Sequence, residues 1–425
     1  MNQMTYIKPF KGLAYNKEKI SDLSKVVCPP YDVISPEEQE AYHNLHPNNF
    51  IHIILGKDKE SDNKTDNKYT RAKKVYDEWI QKGILVEDVK PCIYYYKQEY
   101  TTRGQKYSRL GFISLMKLED PKDSKVFPHE NTHSKAIDDR FRLWSTLKAN
   151  LSPIFVCFSD KTKKVQKIFV QKVSLSKPFI DAVDHDRVRH ILWRLDDPAL
   201  IEEIKNSLLD QHLFIADGHH RYEVALEYRR QRLSELSKTS SQEPFHYVMT
   251  YFTNMDSSDL MIFPMHRIIK KLPAQIDFLE ESFRIDRVKT KEDLLIILAK
   301  AGQNEHAFGL YTKEGIKLLR LKNRFLVDSI VKEGSKEFRQ LDATILKYFI
   351  LDRLNIKSDD IMYTKDLHEA TSLIDESKAD ASFIMNPVKI QQLKAIALNG
   401  ERMPPKTTYF YPKVLSGLTV YRMDS

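Results

Sequence analysis

The chain has 425 residues, 41% of them hydrophobic and 30% charged, a balance that supports a sizeable folded core and excludes intrinsic disorder. No run approaches 18 apolar residues and the opening MNQMTYIKPFKGLAYN lacks an apolar signal core, so neither a membrane span nor secretion is expected, and a cytoplasmic location is. Lys and Arg (67) outnumber Asp and Glu (59) for a net charge of +8, yet they lie among acids and do not alternate with aromatic residues, which argues against a nucleic-acid partner.

Residues 4–15 mix apolar and aromatic side chains and predict an opening strand and turn. In VVCPPYDVISPEE (26–38), Val26 and Val27 end a strand, Pro29 and Pro30 forbid a helix, and Ser35-Pro36-Glu37-Glu38 starts one. Tyr31 and Asp32 are thereby held on a stiff loop of the kind that positions catalytic groups, although a Pro-rich turn with Asp32 bonded to its own backbone fits equally well. HPNNFIHIILG (46–56) reads as a turn and a strand. Residues 69–81 predict a helix with Tyr69, Ala72, Val75, Tyr76 and Trp79 on its core face, and 91–119 predict a hairpin turning at Gly104.

The segment 126–155 is a polar concentration. His129, Glu130 and His133 lie in a Pro-led loop, and Asp138, Asp139, Arg140 and Arg142 open a helix. His129 and Glu130 alone make a weak chelate, but they suit one wall of a phosphate or magnesium site, since magnesium takes few carboxylates beside substrate phosphates. A surface loop before a charged helix start is the alternative. Residues 183–195 read as a polar hairpin, and 198–209 as a helix.

At 213–226, LFIADGHHRYEVAL, a short apolar strand runs into Asp217 and Gly218 and then into a helix whose first turn holds His219, His220 and Arg221. A helix N-terminus has unpaired N–H groups and partial positive charge, so with an Arg and two His it suits a phosphate or carboxylate. Asp217 adds a base or metal ligand, or merely a cap.

Beyond it, 246–256 and 260–272 return to a sheet, 275–285 and 291–301 read as helices, and 306–312 and 316–321 as paired strands. Residues 335–356 read as helical, ASFIMNP as a final strand and 388–398 as a last helix. Pro404 and Pro405 stiffen a loop presenting Lys406, Thr407 and Thr408, either a phosphate clamp or a basic turn. Cys28, Cys92 and Cys157 form no CxxC pair, which argues for a reducing compartment and against structural zinc. There is no Walker loop or dinucleotide fingerprint, and with 12 glycines any phosphate must be held by side chains and helix ends.

CPPYDVIS, HPNNFIHIILG, FPHENTHS with RLWSTLKANLSPIF, ADGHHRYEVAL and NGERMPPKTTYFYPKVLSGL stand here in one order, and together they resemble the domain-of-unknown-function family numbered 1015 over almost the whole chain. The DGHHR string is also similar to the motif of free serine kinases of the ParB/sulfiredoxin-like class, which phosphorylate free L-serine to O-phospho-L-serine with a nucleotide donor. The resemblance implies an α+β (mixed α/β) fold, with a ParB/sulfiredoxin-like catalytic core over 1–270 and a C-terminal α/β subdomain over 271–425. It implies that Asp217, His219, His220 and Arg221 line the active centre, with Gly218 at the turn and Asp32 as counterpart of the kinases' N-terminal base. ATP or ADP would be the donor and Mg2+ the accompanying metal, held by phosphates and Asp217 or Glu130. The chemistry of the residues adds His129, Arg140, Lys406 and Thr407 as phosphate contacts and Tyr31 and Tyr222 as substrate contacts. Free L-serine and nucleotide are the expected partners, with a homodimer left open. Two rivals stand beside this reading: a ParB-like nucleotide-dependent switch, and a metal-dependent hydrolase using His129, Glu130, His219 and His220.

Overall fold

The computed structural model describes residues 6–120, 122, 124–132, 134–273 and 276–424. His133 of the polar loop lies outside them. The chain is a mixed α/β protein that divides into two compact units. The first comprises residues 1–128, 132–260 and 412–425, and the second 129–131 and 261–411. Where the sequence reading put 271–425 together, the last fourteen residues thus belong with the first unit. Tyr421–Arg422 pair with Ala149–Asn150, and Val420 bridges to Leu13.

The first unit is built on a nine-stranded mixed sheet. Its strands are β1 (Ile7–Lys8), β2 (Ile93–Thr102), β3 (Gln105–Lys117), β4 (Val126–Phe127), β5 (Ile154–Phe158), β6 (Ile180–Val183), β7 (Arg189–Leu195), β8 (Leu213–Asp217) and β9 (Tyr247–Asn254). They run in the order β4-β8-β5-β9-β3-β2-β7-β6, with β1 beside β3. The expected hairpin is β2–β3. Its two-residue turn, Arg103 at φ +50° and Gly104 at φ +74°, has the doubly positive φ that matches strand twist. The polar hairpin at 183–195 is β6–β7.

Helices α1 (Pro36–Leu45), α2 (Lys68–Gln81), α3 (Ser134–Leu147), α4 (Pro198–Leu208) and α5 (His219–Glu235) accompany this sheet. Ser35 caps α1 through a capping box with Glu38, as the Ser-Pro-Glu-Glu string predicts. The strand expected within 46–56 is instead a helical turn, Ile51–Ile54. The Asn49 side chain accepts from the Ile51 N–H at 2.9 Å, and Ile51, Ile53 and Ile54 are all buried, so the apolar run carries no alternation to read.

The second unit holds a six-stranded antiparallel sheet. A two-stranded ribbon joins β10 (Met261–Phe263) to the chain's later Tyr409–Tyr411 strand. The six strands are β11 (His266–Ile269), β12 (Phe283–Val288), β13 (Ala307–Thr312), β14 (Gly315–Leu321), β15 (Ile361–Thr364) and β16 (Ala381–Ile384), in the order β12-β14-β13-β16-β11-β15. The helix expected over 275–285 ends at Ser282, because Phe283, Arg284, Ile285 and Asp286 alternate apolar and charged at period two and open β12 against β14. The stretch 335–356 is helical only in short pieces. Among the described residues, no helix is long and apolar enough to cross a membrane.

Candidate active site

Strand β8 is apolar and buried from Leu213 to Ala216, and pairs antiparallel with β5. The register shifts between Ile215 and Asp217, and such an irregularity re-aims the side chain that follows it. Asp217 thereby leaves the core face, and the chain turns through Gly218 into α5. Gly218 has φ +87°, and a Cβ there would sit 2.9 Å from the Arg221 guanidinium carbon, so both backbone and space demand glycine.

Asp217 then meets two cations. Arg221 Nη2 donates to its Oδ2 at 2.6 Å, and Lys413 Nζ donates to its Oδ1. All three side chains are nearly buried, at 12% exposure for Asp217, 7% for Arg221 and 10% for Lys413. Burial works to raise the Asp217 pKa, but the charges of Lys413 and Arg221, the Lys413 hydrogen bond and His219 outweigh it and hold the carboxyl well below its usual range. Asp217 is therefore ionised at any physiological pH and serves as an anchor for cations. A second Arg221 nitrogen donates to the Pro153 carbonyl. His219 is buried and His220 half-buried in the first turn of α5.

Beside Arg221 lies a cavity of about 30 Å³, lined by Tyr31, Ile54, Arg140, Leu143, Trp144, Ala149, Leu151, Ser152 and Arg221. That exceeds the roughly 10–15 Å³ one water needs. The Tyr31 hydroxyl, the Trp144 indole N–H and Asp32 Oδ1 are buried polar atoms without a hydrogen-bond partner. Such groups are rare in a purely structural setting. Burial, followed by the Asp32 charge, pushes the Tyr31 hydroxyl's pKa well up, so it stays protonated and able to donate.

Of the residues singled out from sequence, the structure brings Tyr31, Arg140 and Arg221 to one cavity, with Asp32 next to Tyr31. Arg140 is committed elsewhere than to a phosphate. It donates to Asp139 at 2.8 Å and to the Ile54 carbonyl at 2.6 Å, and its guanidinium covers the Tyr31 ring at 4.0 Å. It thereby packs against the Tyr31 ring. Tyr222, expected at the substrate, is instead 3% exposed in the main core with Ile215 and Trp144, because α5 turns that position inward. Lys413 was not foreseen. It stands between a Pro and a Val in the sequence and is recognisable only once the chain's end is folded back.

His129, Glu130, Lys406 and Thr407 gather in the second unit. Glu130 Oε1 accepts from the Thr407 N–H at 2.7 Å and the Thr408 N–H at 3.4 Å. His129 is fully buried with Nε2 3.1 Å from the Thr408 hydroxyl. The Thr407 hydroxyl donates to Pro404 O at 2.6 Å, and Lys406 sits at φ +54°. The carboxylate and hydroxyl of this cluster thus fold the 404–408 loop. The two acids expected at magnesium do not fit a protein-held metal, since Asp217 is bracketed by cations and Glu130 holds backbone N–H groups. Among the described residues, no group of three or more His, Cys, Asp or Glu is arranged for a metal ion.

The model of the family described as Protein of unknown function (DUF1015) matches residues 7–344. No curated protein sequence matches the chain. Among solved structures, a free serine kinase mutant in complex with AMP is similar at 16% identity and a TM-score of 0.36, over 67% of this chain and 84% of that one. Another mutant of a free serine kinase, in complex with ADP, is similar at 16% identity and a TM-score of 0.35, over 67% and 84%. A conserved hypothetical protein from Pyrococcus furiosus is similar at 14% identity and a TM-score of 0.36, over 71% and 93%.

Proposed function

The chain belongs to the DUF1015 family, and from that premise we propose that it is a small-molecule kinase that phosphorylates free L-serine to O-phospho-L-serine, with ATP or ADP as donor. The observation that carries this reading is the pair of cations, Arg221 and Lys413, held on Asp217 at the start of α5, beside the buried Tyr31 hydroxyl, Trp144 N–H and Asp32 Oδ1 that have no hydrogen-bond partner. The resemblance of the DGHHR string to the free serine kinase motif supports the choice of reaction. The first unit is the proposed catalytic core.

In this scheme the donor's phosphates lie at the N-terminus of α5, where backbone N–H groups, His219, His220 and Arg221 face accumulating negative charge. Asp32 accepts the serine hydroxyl proton through Oδ1, which no described donor engages. The serine oxygen forms a bond to the terminal phosphorus, the bond from phosphorus to the bridging oxygen breaks, and the shortened nucleotide leaves. Positioning and charge neutralisation are the protein's share of such a reaction. Tyr31 lines the acceptor side and Arg140 holds its ring. His129, Glu130, Lys406 and Thr407 have no part in these steps.

The test is formation of O-phosphoserine from free L-serine by the purified chain, with the magnesium salts of ATP and ADP in parallel, beside Asp32→Asn. Product formation that falls at least a hundredfold in the variant is expected. Absence of product with both donors, while nucleotide remains intact, would remove the kinase reading and leave the nucleotide-dependent switch.

A further inference from the structure

We infer that His43 and His52 form a two-imidazole site for a divalent transition metal such as Zn2+ or Cu2+. The site takes no part in the steps proposed above, and the inference stands independently of them. His43 lies in the last turn of α1 and His52 in the Ile51–Ile54 helical turn, both half-buried. The chain between them is fixed by the buried Asn49, which donates to Lys25 O at 2.7 Å and accepts from the Ile51 N–H at 2.9 Å. The two Nδ1 atoms are 3.1 Å apart, with the rings at 88° to each other and their centroids 4.6 Å apart. His43 Nε2 lies 3.0 Å from the Leu55 carbonyl oxygen, and His52 Nε2 lies 3.3 Å from the His46 carbonyl oxygen.

The protons of this arrangement do not add up. A carbonyl oxygen only accepts, so each Nε2 must carry a proton to bond it, and a bond between the two Nδ1 atoms needs a third. Two neutral imidazoles carry two. With both protons on the Nε2 atoms, two Nδ1 lone pairs face each other at 3.1 Å and repel unless a cation answers them. A third proton would make one ring an imidazolium. Burial opposes that at both rings, with the Lys57 charge acting in the same direction, and outweighs the carbonyl bonds, so both pKa values lie below the ordinary 6.5.

A metal ion answers the same lone pairs without that proton. Neutral imidazole binds zinc, copper or nickel through one nitrogen while an acceptor such as a backbone carbonyl holds the N–H of the other. Both rings already have that second bond. Two metal–nitrogen bonds of about 2.0–2.1 Å would span the gap between the Nδ1 atoms at an angle of about 100°, between the square-planar and tetrahedral values. The C-terminal end of α1, where His43 stands, favours a cation. Glu40, whose charge acts on His43, accepts from Lys57 and, at 3.0 Å, from Asn44. Among the described residues no group of three or more His, Cys, Asp or Glu is arranged for a metal, so two imidazoles are the protein's share and water fills the remaining positions.

The experiment is calorimetric titration of the full chain, first stripped with a chelator, with zinc chloride. One zinc per chain is expected, with an affinity that falls at least tenfold in His43→Gln and in His52→Gln. His185→Gln, at an exposed histidine outside the pair, should stay within twofold of the unaltered chain. Bound zinc should also raise the denaturant midpoint of the unaltered chain and of His185→Gln, and leave that of the two pair variants where it was. No zinc binding by the unaltered chain overturns the inference. So does an affinity within twofold of the unaltered chain in both pair variants, which would mean an adventitious ion only. Should the pair variants fail to fold, substoichiometric Cu2+ is added to the isotope-labelled unaltered chain. Broadening centred on the His43 and His52 amide signals supports the site, and broadening centred elsewhere, or none, overturns it. A pair that takes up one shared proton on acidification and binds neither ion would leave the proton as the answering cation and remove the metal.

Discussion

Asp217 and Glu130 are both acids in a polar string that follows an apolar strand, and their hydrogen-bond donors differ in kind. Asp217 is bracketed by the side-chain cations of Arg221 and Lys413, so its charge orders other charges. Glu130 accepts from the backbone N–H groups of Thr407 and Thr408 and so helps to close a loop, while its charge also acts on Arg267. A carboxylate spent on backbone N–H groups works for folding. One spent on cations, beside atoms with unmet capacity, leaves an electrostatic field that a ligand can use.

The largest effect that would sharpen this contrast is expected from Asp217→Asn. It leaves Arg221 and Lys413 buried against each other, which should cost about 3 kcal/mol of stability, since stranding one charge of a buried pair costs about 3–5 kcal/mol. Phosphotransfer should fall by about two orders of magnitude or more, the scale set by losing preorganised charge. Denaturant titration and the O-phosphoserine assay read the two losses. An active, equally stable Asp217→Asn protein would break the comparison at its first term.

Glu130→Ala is next. Removing a charged acceptor of backbone N–H groups should destabilise the protein by about 1.5–3 kcal/mol, while the ADP affinity stays within twofold. Loss of ADP binding with unchanged stability would reverse the assignment of the two acids.

Asp217 and His306 also differ in how their charges respond to pH. Asp217 is held low, so its contribution is present above the ordinary carboxyl value of 3.8 and is lost only as pH falls through its depressed folded value. His306, in the second unit, is raised. Burial acts to lower it, but its 2.7 Å bond to Asp342, the Asp342 charge and Gln340 outweigh burial. A raised histidine contributes fully below its ordinary 6.5 and loses that contribution as pH rises through the folded value. The His306 contribution should therefore decline on going from pH 6 to 8. It does so against His43, His52, His190, His246 and His266, which burial holds low and whose contributions rise with pH, so His306→Asn should make the change in stability with pH more positive. A His306→Asn protein with an unchanged slope would remove His306 as a contributor to it.

The elements were legible where sequence pattern and chain position agreed. β8, its Gly218 turn and α5 follow from LFIADGHHR because an apolar run, a glycine and helical spacing meet within ten residues. Ser35 announces α1 by its capping box. IHII misled because its three isoleucines are all buried and leave no alternation to read, and FRIDRV because only its first four residues alternate and they follow a helix-like stretch. In the site, Asp217 and Arg221 were legible as neighbours four residues apart. Lys413 was not, since 196 residues separate it from Asp217 and only the returning segment joins them. Tyr222 lies in the core and was overread because the sequence around it does not show which way that helix face turns, whereas Arg140 does line the cavity.

Lys406 is the finest test, because it shares the PPKTTYFYPK segment with Lys413 and differs in what surrounds it. Its backbone is left-handed at φ +54°, a conformation that costs an ordinary residue about 1–2 kcal/mol. Lys406→Gly relieves that cost but adds roughly 0.5–1 kcal/mol of chain entropy to be lost on folding. The two oppose each other, so the net stability change should lie within about 1 kcal/mol. ADP affinity should stay within twofold, in contrast to the loss of phosphotransfer expected of Asp217→Asn. A larger loss would mean that Lys406 meets the donor and that the distinction between Glu130 and Asp217 does not extend to the lysines.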